Sequence, residues 1–192
     1  MRKGRPAPSK ASAEMKPTEL EAQLERLHSE SFGWALHCCG REEMEAEDVL
    51  QTAYLRVVSG KARFEGRSSF RTWFFGVIRR TALEVRRKRF THQERTVRLV
   101  QEDVEDARAP DPHRRLEGEE RGRKLLEALS NLSDRQREIL HLVFYQDLTV
   151  EEGAEIMGVS LGSARTHYQR GKERLRNLLL QGRRDDESAT GS

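Results

Sequence analysis

Arg79, Arg80, Arg86, Arg87, Lys88 and Arg89 crowd six cations into one short stretch whose only acid is Glu84, a local net charge of +5. Guanidinium groups at such density suit phosphates, because each offers a planar fork of donors and a charge that does not titrate away. If residues 69–90 form a helix, Thr72, Phe75, Arg79, Leu83, Arg86 and Arg87 share one side. Phe70, Trp73, Phe74, Val77, Ile78 and Val85 form the opposite, core side. An aromatic among cations can stack on unpaired bases, which an intact duplex does not offer. The stretch therefore fits distorted or single-stranded DNA. A solvated face is the plainer alternative, but such a face ordinarily mixes its charge signs.

A second constellation lies at Thr149–Leu180. A short capped helix, a turn at Gly158–Val159–Ser160 and a second helix match the helix-turn-helix arrangement, which lays one helix in a major groove. Ser163, Arg165, Thr166 and Gln169 sit near the N-terminal end of that helix, where side chains reach base edges, and Arg165 suits guanine. Arg170, Lys172 and Arg174 are placed for phosphates, which fix register. Short helical hairpins also occur in ordinary bundles. A third feature is the helix 45–58, where Asp48, Gln51, Thr52 and Leu55 lie opposite Ala46, Val49, Leu50, Ala53 and Val57. Leucine exposed beside an acid and an amide suits a protein partner; the alternative is a solvated face with one stray leucine.

The elements that must position these residues all read as helices, so the expected fold class is all-α, with two small helical bundles joined by an acidic flexible linker. Leu20, Leu24, Leu27 and Trp34 recur at helical spacing toward Cys39, and Gly40 stops the run. Gly60 and Gly66 mark a loop, and Ser68 or Ser69 caps the helix that ends near Phe90. Beyond Leu125, Leu126 and Leu129, two capping boxes, Ser133 with Gln136 and Thr149 with Glu152, open helices over about 134–145 and 150–157. A last helix covers about 161–180.

Between Gln101 and Glu120 eight acids face only Arg108, Arg114 and Arg115, a net charge of −5, with Pro110 and Pro112 among them. Such a segment repels nucleic acid or mimics it. No zinc spacing completes the adjacent Cys38 and Cys39, which read as small buried residues. His28, His37, His92, His113, His141 and His167 are scattered without a nucleophile or metal spacing. No catalysis, cofactor or metal is expected, nor a signal peptide or membrane span; the protein reads as soluble and intracellular.

Four motifs in order resemble the extracytoplasmic-function group of the bacterial sigma-70 family. They are Ala46–Glu47–Asp48–Val49–Leu50–Gln51, Phe64–Glu65–Gly66–Arg67–Ser68–Ser69–Phe70–Arg71–Thr72–Trp73, Leu132–Ser133–Asp134–Arg135–Gln136–Arg137–Glu138, and Gly158–Val159–Ser160–Leu161–Gly162–Ser163–Ala164–Arg165. The resemblance implies a cytoplasmic bacterial protein that binds core RNA polymerase at its clamp and flap regions and directs initiation at promoter DNA. It implies a tail over 1–19, a region 2-like domain over 20–92, a linker over 93–122 in the polymerase RNA path, a region 4-like domain over 123–180 and a tail over 181–192. Asp48, Gln51, Thr52 and Leu55 become the clamp-docking face.

By the same resemblance Phe64, Arg67, Ser69, Thr72, Trp73, Phe75, Arg79, Arg80, Leu83, Arg86 and Arg87 become the −10 reader, which melts DNA and captures a flipped base. Ser160, Ser163, Arg165, Thr166, His167, Gln169, Arg170, Lys172 and Arg174 become the −35 reader. Many relatives are held by an anti-sigma protein. Four residues depart from the family pattern. Arg80 stands where asparagine often helps to hold the flipped base, and His167 where arginine is common. Gly153 replaces a large apolar residue and Ala164 a valine, which implies an underfilled C-terminal core or weak −35 binding. The competing reading is a stand-alone helix-turn-helix regulator that grips duplex operators without polymerase.

Overall fold

Helices α1 (Pro17–Arg26), α2 (His28–Cys38), α3 (Glu43–Val58) and α4 (Phe70–Val97) build the first part of the chain. Helices α5 (Leu116–Ser130), α6 (Asp134–Leu140), α7 (Val150–Met157) and α8 (Leu161–Ala189) build the second, and α6 runs into a π-helical turn over His141–Tyr145. The structure is a computed structural model that describes residues 16–97 and 116–189, with side-chain surroundings for 16–89 and 122–181. Among the described residues there is no strand. The tail 1–15, the middle of the expected linker (98–115) and residues 190–192 lie outside them. The chain divides into two compact units, 1–81 and 82–192, and α4 continues through the division.

In the first unit, the expected helix from Leu20 to Cys39 is two helices, because the backbone at Leu27 relaxes to φ −89°, ψ −1° before the next turn resumes. No glycine or proline marks that break. Gly40 does end α2: at φ +66° its N–H donates to the carbonyl of His37, while the N–H of Arg41 donates to that of Leu36. This pairing closes a helix end with a left-handed residue, which glycine adopts without steric cost. The buried face of α3 is Ala46, Val49, Leu50, Ala53 and Val57, as the spacing predicts. Trp34 and Ala35 of α2 and Phe70, Phe74, Phe75, Val77 and Ile78 of α4 complete the core.

In the second unit α8 packs on α5, α6 and α7. The two predicted capping boxes are present: Thr149 Oγ1 accepts from the N–H of Glu152 while the Glu152 carboxylate accepts from the N–H of Thr149, and Ser133 pairs with Gln136 likewise. Each cap satisfies helix-end donors that would otherwise be orphaned, worth about 1 kcal/mol. Gly158 ends α7 at φ +63°. Ile139, Leu140, Leu142, Ile156, Met157 and Ala164 are buried together.

Gly153 is not the gap that its missing side chain suggests. A β-carbon placed there would lie 2.5 Å from Ile139 Cδ1, so the isoleucine already fills the space. Gly171, at which α8 crosses α6, would bring a β-carbon within 3.2 Å of Gln136 Cβ and Leu140 Cδ1. The two glycines let helices approach closely, and the expected underfilled core is corrected. Helices also outrun two expected ends: α4 reaches Val97 and α8 reaches Ala189, since neither 91–97 nor 181–189 contains a proline.

Candidate nucleic-acid interface

The N-terminus of α4 is held by its own hydroxyls and by aromatic packing. Ser69 Oγ accepts from the N–H of Thr72 at 3.1 Å and shares a 2.8 Å hydrogen bond with Thr72 Oγ1. Phe64, from the preceding loop, sits edge-on to Phe70 and tilted against Trp73, with centroids 5.4 Å apart in both pairs. The loop of Phe64–Ser69 is thereby anchored to the helix it leads into. Phe64 and Trp73 stay half-buried, and Arg67 stands in solvent paired with Glu65 at 2.6 Å.

The predicted cation-and-aromatic stripe of α4 changes character along its length. Phe75 is fully buried, stacked on Trp34, and its carbonyl accepts from the Trp34 indole N–H at 3.0 Å. Thr72 is buried, and Arg79 is only 9% exposed. Phe75 is therefore not an exposed aromatic among charges, which corrects the wheel. The reason is that α4 packs on two neighbours at once: Phe75 faces Trp34 of α2, while Phe74 stacks on Tyr54 of α3. Also on the α3 side, Thr81 Oγ1 accepts from Arg56 Nη1 at 3.1 Å. A helix with two partners buries a wider arc than one apolar stripe signals. Farther along, Leu83 is half-buried, while Arg80, Arg86, Arg87, Lys88 and Arg89 are exposed. Lys88 and Arg89 belong to the basic block in the sequence but fall outside the stripe read from it.

On α3, Asp48 and Gln51 are exposed, Thr52 is half-buried, and Leu55 is 64% exposed. Val58, one helical turn beyond Leu55, is 65% exposed and extends the apolar strip; its i+3 spacing from Leu55 is the signal that could have found it.

The helix-turn-helix candidate presents its predicted residues outward. Ser163, Arg165, Thr166, Gln169, Arg170, Lys172 and Arg174 are exposed and His167 is half-buried, whereas Ala164 and Gly171 face inward. Ser160 Oγ accepts from the N–H of Ser163 and shares a hydrogen bond with its hydroxyl, the same capping device that opens α4. Thr166 Oγ1 donates to the carbonyl of Gly162, and the Lys172 ammonium lies 4.9 Å from the Tyr168 ring centre. Arg165 donates from Nη2 to Glu151 Oε1 of α7 at 2.7 Å. That hydrogen bond, with help from the backbone of Glu151 and the guanidinium charge, holds the Glu151 carboxyl below its usual range. Phe144 and Tyr145 also stand exposed on the π-helical turn.

Among the described residues no group of three or more His, Cys, Asp or Glu is placed to hold a metal, and no helix is long and apolar enough to cross a membrane. Cys39 is buried and Cys38 half-buried, and neither is joined in a disulfide among the described residues.

Comparison with known proteins accounts for both units. The family described as Sigma-70 region 2 matches residues 24–90, and Sigma-70, region 4 matches residues 122–175. The ECF RNA polymerase sigma factor SigX of Bacillus subtilis (strain 168) is 31% identical over 152 residues, covering 77% of this chain and 78% of its own. The RNA polymerase sigma factor YlaC of the same organism is 28% identical over 145 residues, covering 73% and 81%. Among solved structures, the sigma factor RpoE in complex with the anti-sigma factor NepR from Bartonella quintana shares the fold, with a TM-score of 0.65 at 23% identity, covering 84% of this chain and 97% of that one. A helical unit matching region 2, a second matching region 4, and a relative spanning most of both leave one assignment: the chain belongs to the extracytoplasmic-function group of the sigma-70 family of RNA polymerase sigma factors.

Proposed function

We propose that this alternative sigma factor divides promoter recognition between its two units and acts without catalysis of its own, in the bacterial cytoplasm. The strip of α3 bearing Asp48, Gln51, Thr52 and Leu55 docks on the polymerase clamp, a role that exposed leucine beside polar groups supports. The Phe64–Ser69 loop and the outer part of α4 hold the melted −10 strand. Flipping a base costs a few kcal/mol of unstacking, which contacts in a pocket must offset. Phe64 and Trp73 are the aromatics with surface available for that purpose, and Arg80, Arg86 and Arg87 supply charge for the backbone. Thr72, Phe75 and Arg79 support the site from beneath, since all are buried.

The N-terminal half of α8 reads the −35 duplex. Four exposed side chains, Ser163, Arg165, Thr166 and Gln169, suit base edges, while Ser160 and His167 flank them and Arg170, Lys172 and Arg174 suit phosphates. The acidic residues of 101–120 serve as the tether in the polymerase RNA path. An anti-sigma protein is a further expected partner, because a solved neighbour of this fold is the sigma factor RpoE in complex with the anti-sigma factor NepR.

The observation that carries the reading is the presence of two helices, α4 and α8, each with exposed basic residues and each opened by the same hydroxyl cap. Run-off transcription with purified core polymerase on a genomic library tests it. Specific transcripts from a restricted set of promoters, absent without the chain, are expected. No affinity for core polymerase together with tight unaided binding to a closed duplex would overturn the reading in favour of an operator-binding regulator.

A further inference from the structure

Arg165 is the guanine reader in the proposed −35 assignment, yet its guanidinium is already engaged. Nη2 donates to Glu151 Oε1 at 2.7 Å, across the helix-turn-helix from the first turn of α7 to the second turn of α8. Both side chains remain more than half exposed, 62% for Arg165 and 54% for Glu151, so the pair stands in solvent. Glu151 is not needed to cap α7, because Glu152 fills that role against Thr149. An acid near a polyanion costs affinity, and as a surface pair it adds little to stability. The arrangement therefore needs an account other than folding or charge attraction to DNA.

A free arginine at this position has two ways to meet DNA. It can swing to a phosphate, which carries no sequence information, or it can lie flat against the O6 and N7 of guanine, which does. The fork has five donors, and a single carboxylate oxygen uses one and leaves others to face a base. A carboxylate fixed on α7 also keeps the guanidinium on the side of α8 that faces α7, and opposes a phosphate drawn into the same place.

We propose that Glu151 is a specificity-determining positioning residue, which holds Arg165 for base readout and denies it to the DNA backbone. This rests on the −35 reading of α8. The test reconstitutes holoenzyme from core polymerase and the full chain, and selects from a duplex library randomised over the −35 segment. Glu151→Gln, Glu151→Ala and Arg165→Ala are compared with the native chain. The native chain is expected to prefer guanine at one position by about tenfold or more, the range of a good bidentate contact. Glu151→Gln and Glu151→Ala should bind more of the whole library, with a steeper salt dependence, and lose most of that one preference while keeping the others. In the Arg165→Ala background the Glu151 changes should no longer affect discrimination. Equal preference with and without Glu151, whatever happens to total binding, would overturn the proposal and leave Glu151 as a surface acid. If Arg165→Ala itself left every base preference intact, the −35 role of Arg165 would fall first, and that outcome is distinct.

Discussion

Adding one methyl group at Gly153 sets two effects of similar size against each other. In an open helix position, glycine to alanine stabilises by about 1 kcal/mol through backbone entropy. Here the new carbon would stand 2.5 Å from Ile139 Cδ1, about 1–1.5 Å inside ordinary carbon–carbon contact of about 3.5–4.0 Å. Ile139 is fully buried, so its terminal methyl can yield only by pushing on other core atoms. Such overpacking costs about 1–3 kcal/mol. Gly153→Ala should therefore lower stability by about 0–2 kcal/mol, and Gly153→Ile by more.

The cause can be isolated with a second change. Ile139→Val deletes Cδ1 alone and should cost about 0.5–1.5 kcal/mol by itself. With Cδ1 gone, the next atom facing the new methyl is Leu142 Cδ1 at 3.8 Å, an ordinary contact. The double variant should then recover the helix-propensity gain, with a favourable coupling of about 1–3 kcal/mol between the two changes. Urea unfolding of the full chain followed by far-ultraviolet circular dichroism, with amide exchange read on α7, measures it. Additivity within about 0.5 kcal/mol, or a Gly153→Ala variant more stable than the native chain, would refute the packing argument.

Asp48→Arg with Leu55→Ala should reduce affinity for core polymerase about tenfold or more while leaving the melting temperature within about a degree or two, because surface changes cost little folding energy. Arg86→Glu with Arg87→Glu should weaken promoter opening and flatten its salt dependence by roughly one to two units of the log–log slope, as two lost single-strand phosphate contacts require. Unchanged slope in transcription assays across a salt series would remove those arginines from the interface. Phe75→Ala should destabilise by about 3–5 kcal/mol, as buried phenylalanines do, whereas Arg80→Ala should stay within about 0.5 kcal/mol; thermal unfolding separates the two. Burial pushes the Tyr54 phenol above its ordinary value of 10.0. The folded state then favours the neutral phenol, so its contribution is intact below pH 10.0 and is lost as the pH rises through the higher folded value. A Tyr54→Phe variant should lose less stability in that alkaline range than the native chain, and an equal loss in both would contradict the assignment.

Much of the fold is written in short local signals. Ser133 with Gln136 and Thr149 with Glu152 mark helix starts because hydroxyl and carboxamide or carboxylate satisfy specific backbone donors, and α7 begins and ends where its box and Gly158 place it. Local signals fail where tertiary packing decides. Leu27 interrupts a periodic leucine pattern without punctuation, and His141–Tyr145 forms a π-helical turn where the spacing predicts a helix continuing to about 145. Phe75 and Arg79 share a wheel position with Arg86, yet α2 covers Phe75, through Trp34, while Arg86 stays open. A wheel ranks residues by direction and has no knowledge of how far a neighbour reaches. Gly153 inverts the usual inference from size, since Ile139 has taken the volume that a larger residue would fill. The Glu151–Arg165 pair joins residues of two helices across a turn, so no spacing rule along one helix announces it.

The placement of the indoles gives the molecule a built-in optical label. The chain has two tryptophans, and both fall in the first unit: Trp34 is sealed against Phe75, while Trp73 lies half in solvent beside Phe64. Their emission should differ in wavelength and in access to a soluble quencher, so one spectrum resolves an interior signal from a surface one. Single-stranded oligonucleotide landing near the Phe64 loop should dim the red-shifted component and spare the blue one. The second unit contributes no indole, so events on α8 stay dark in that channel and the first unit can be watched without added dye.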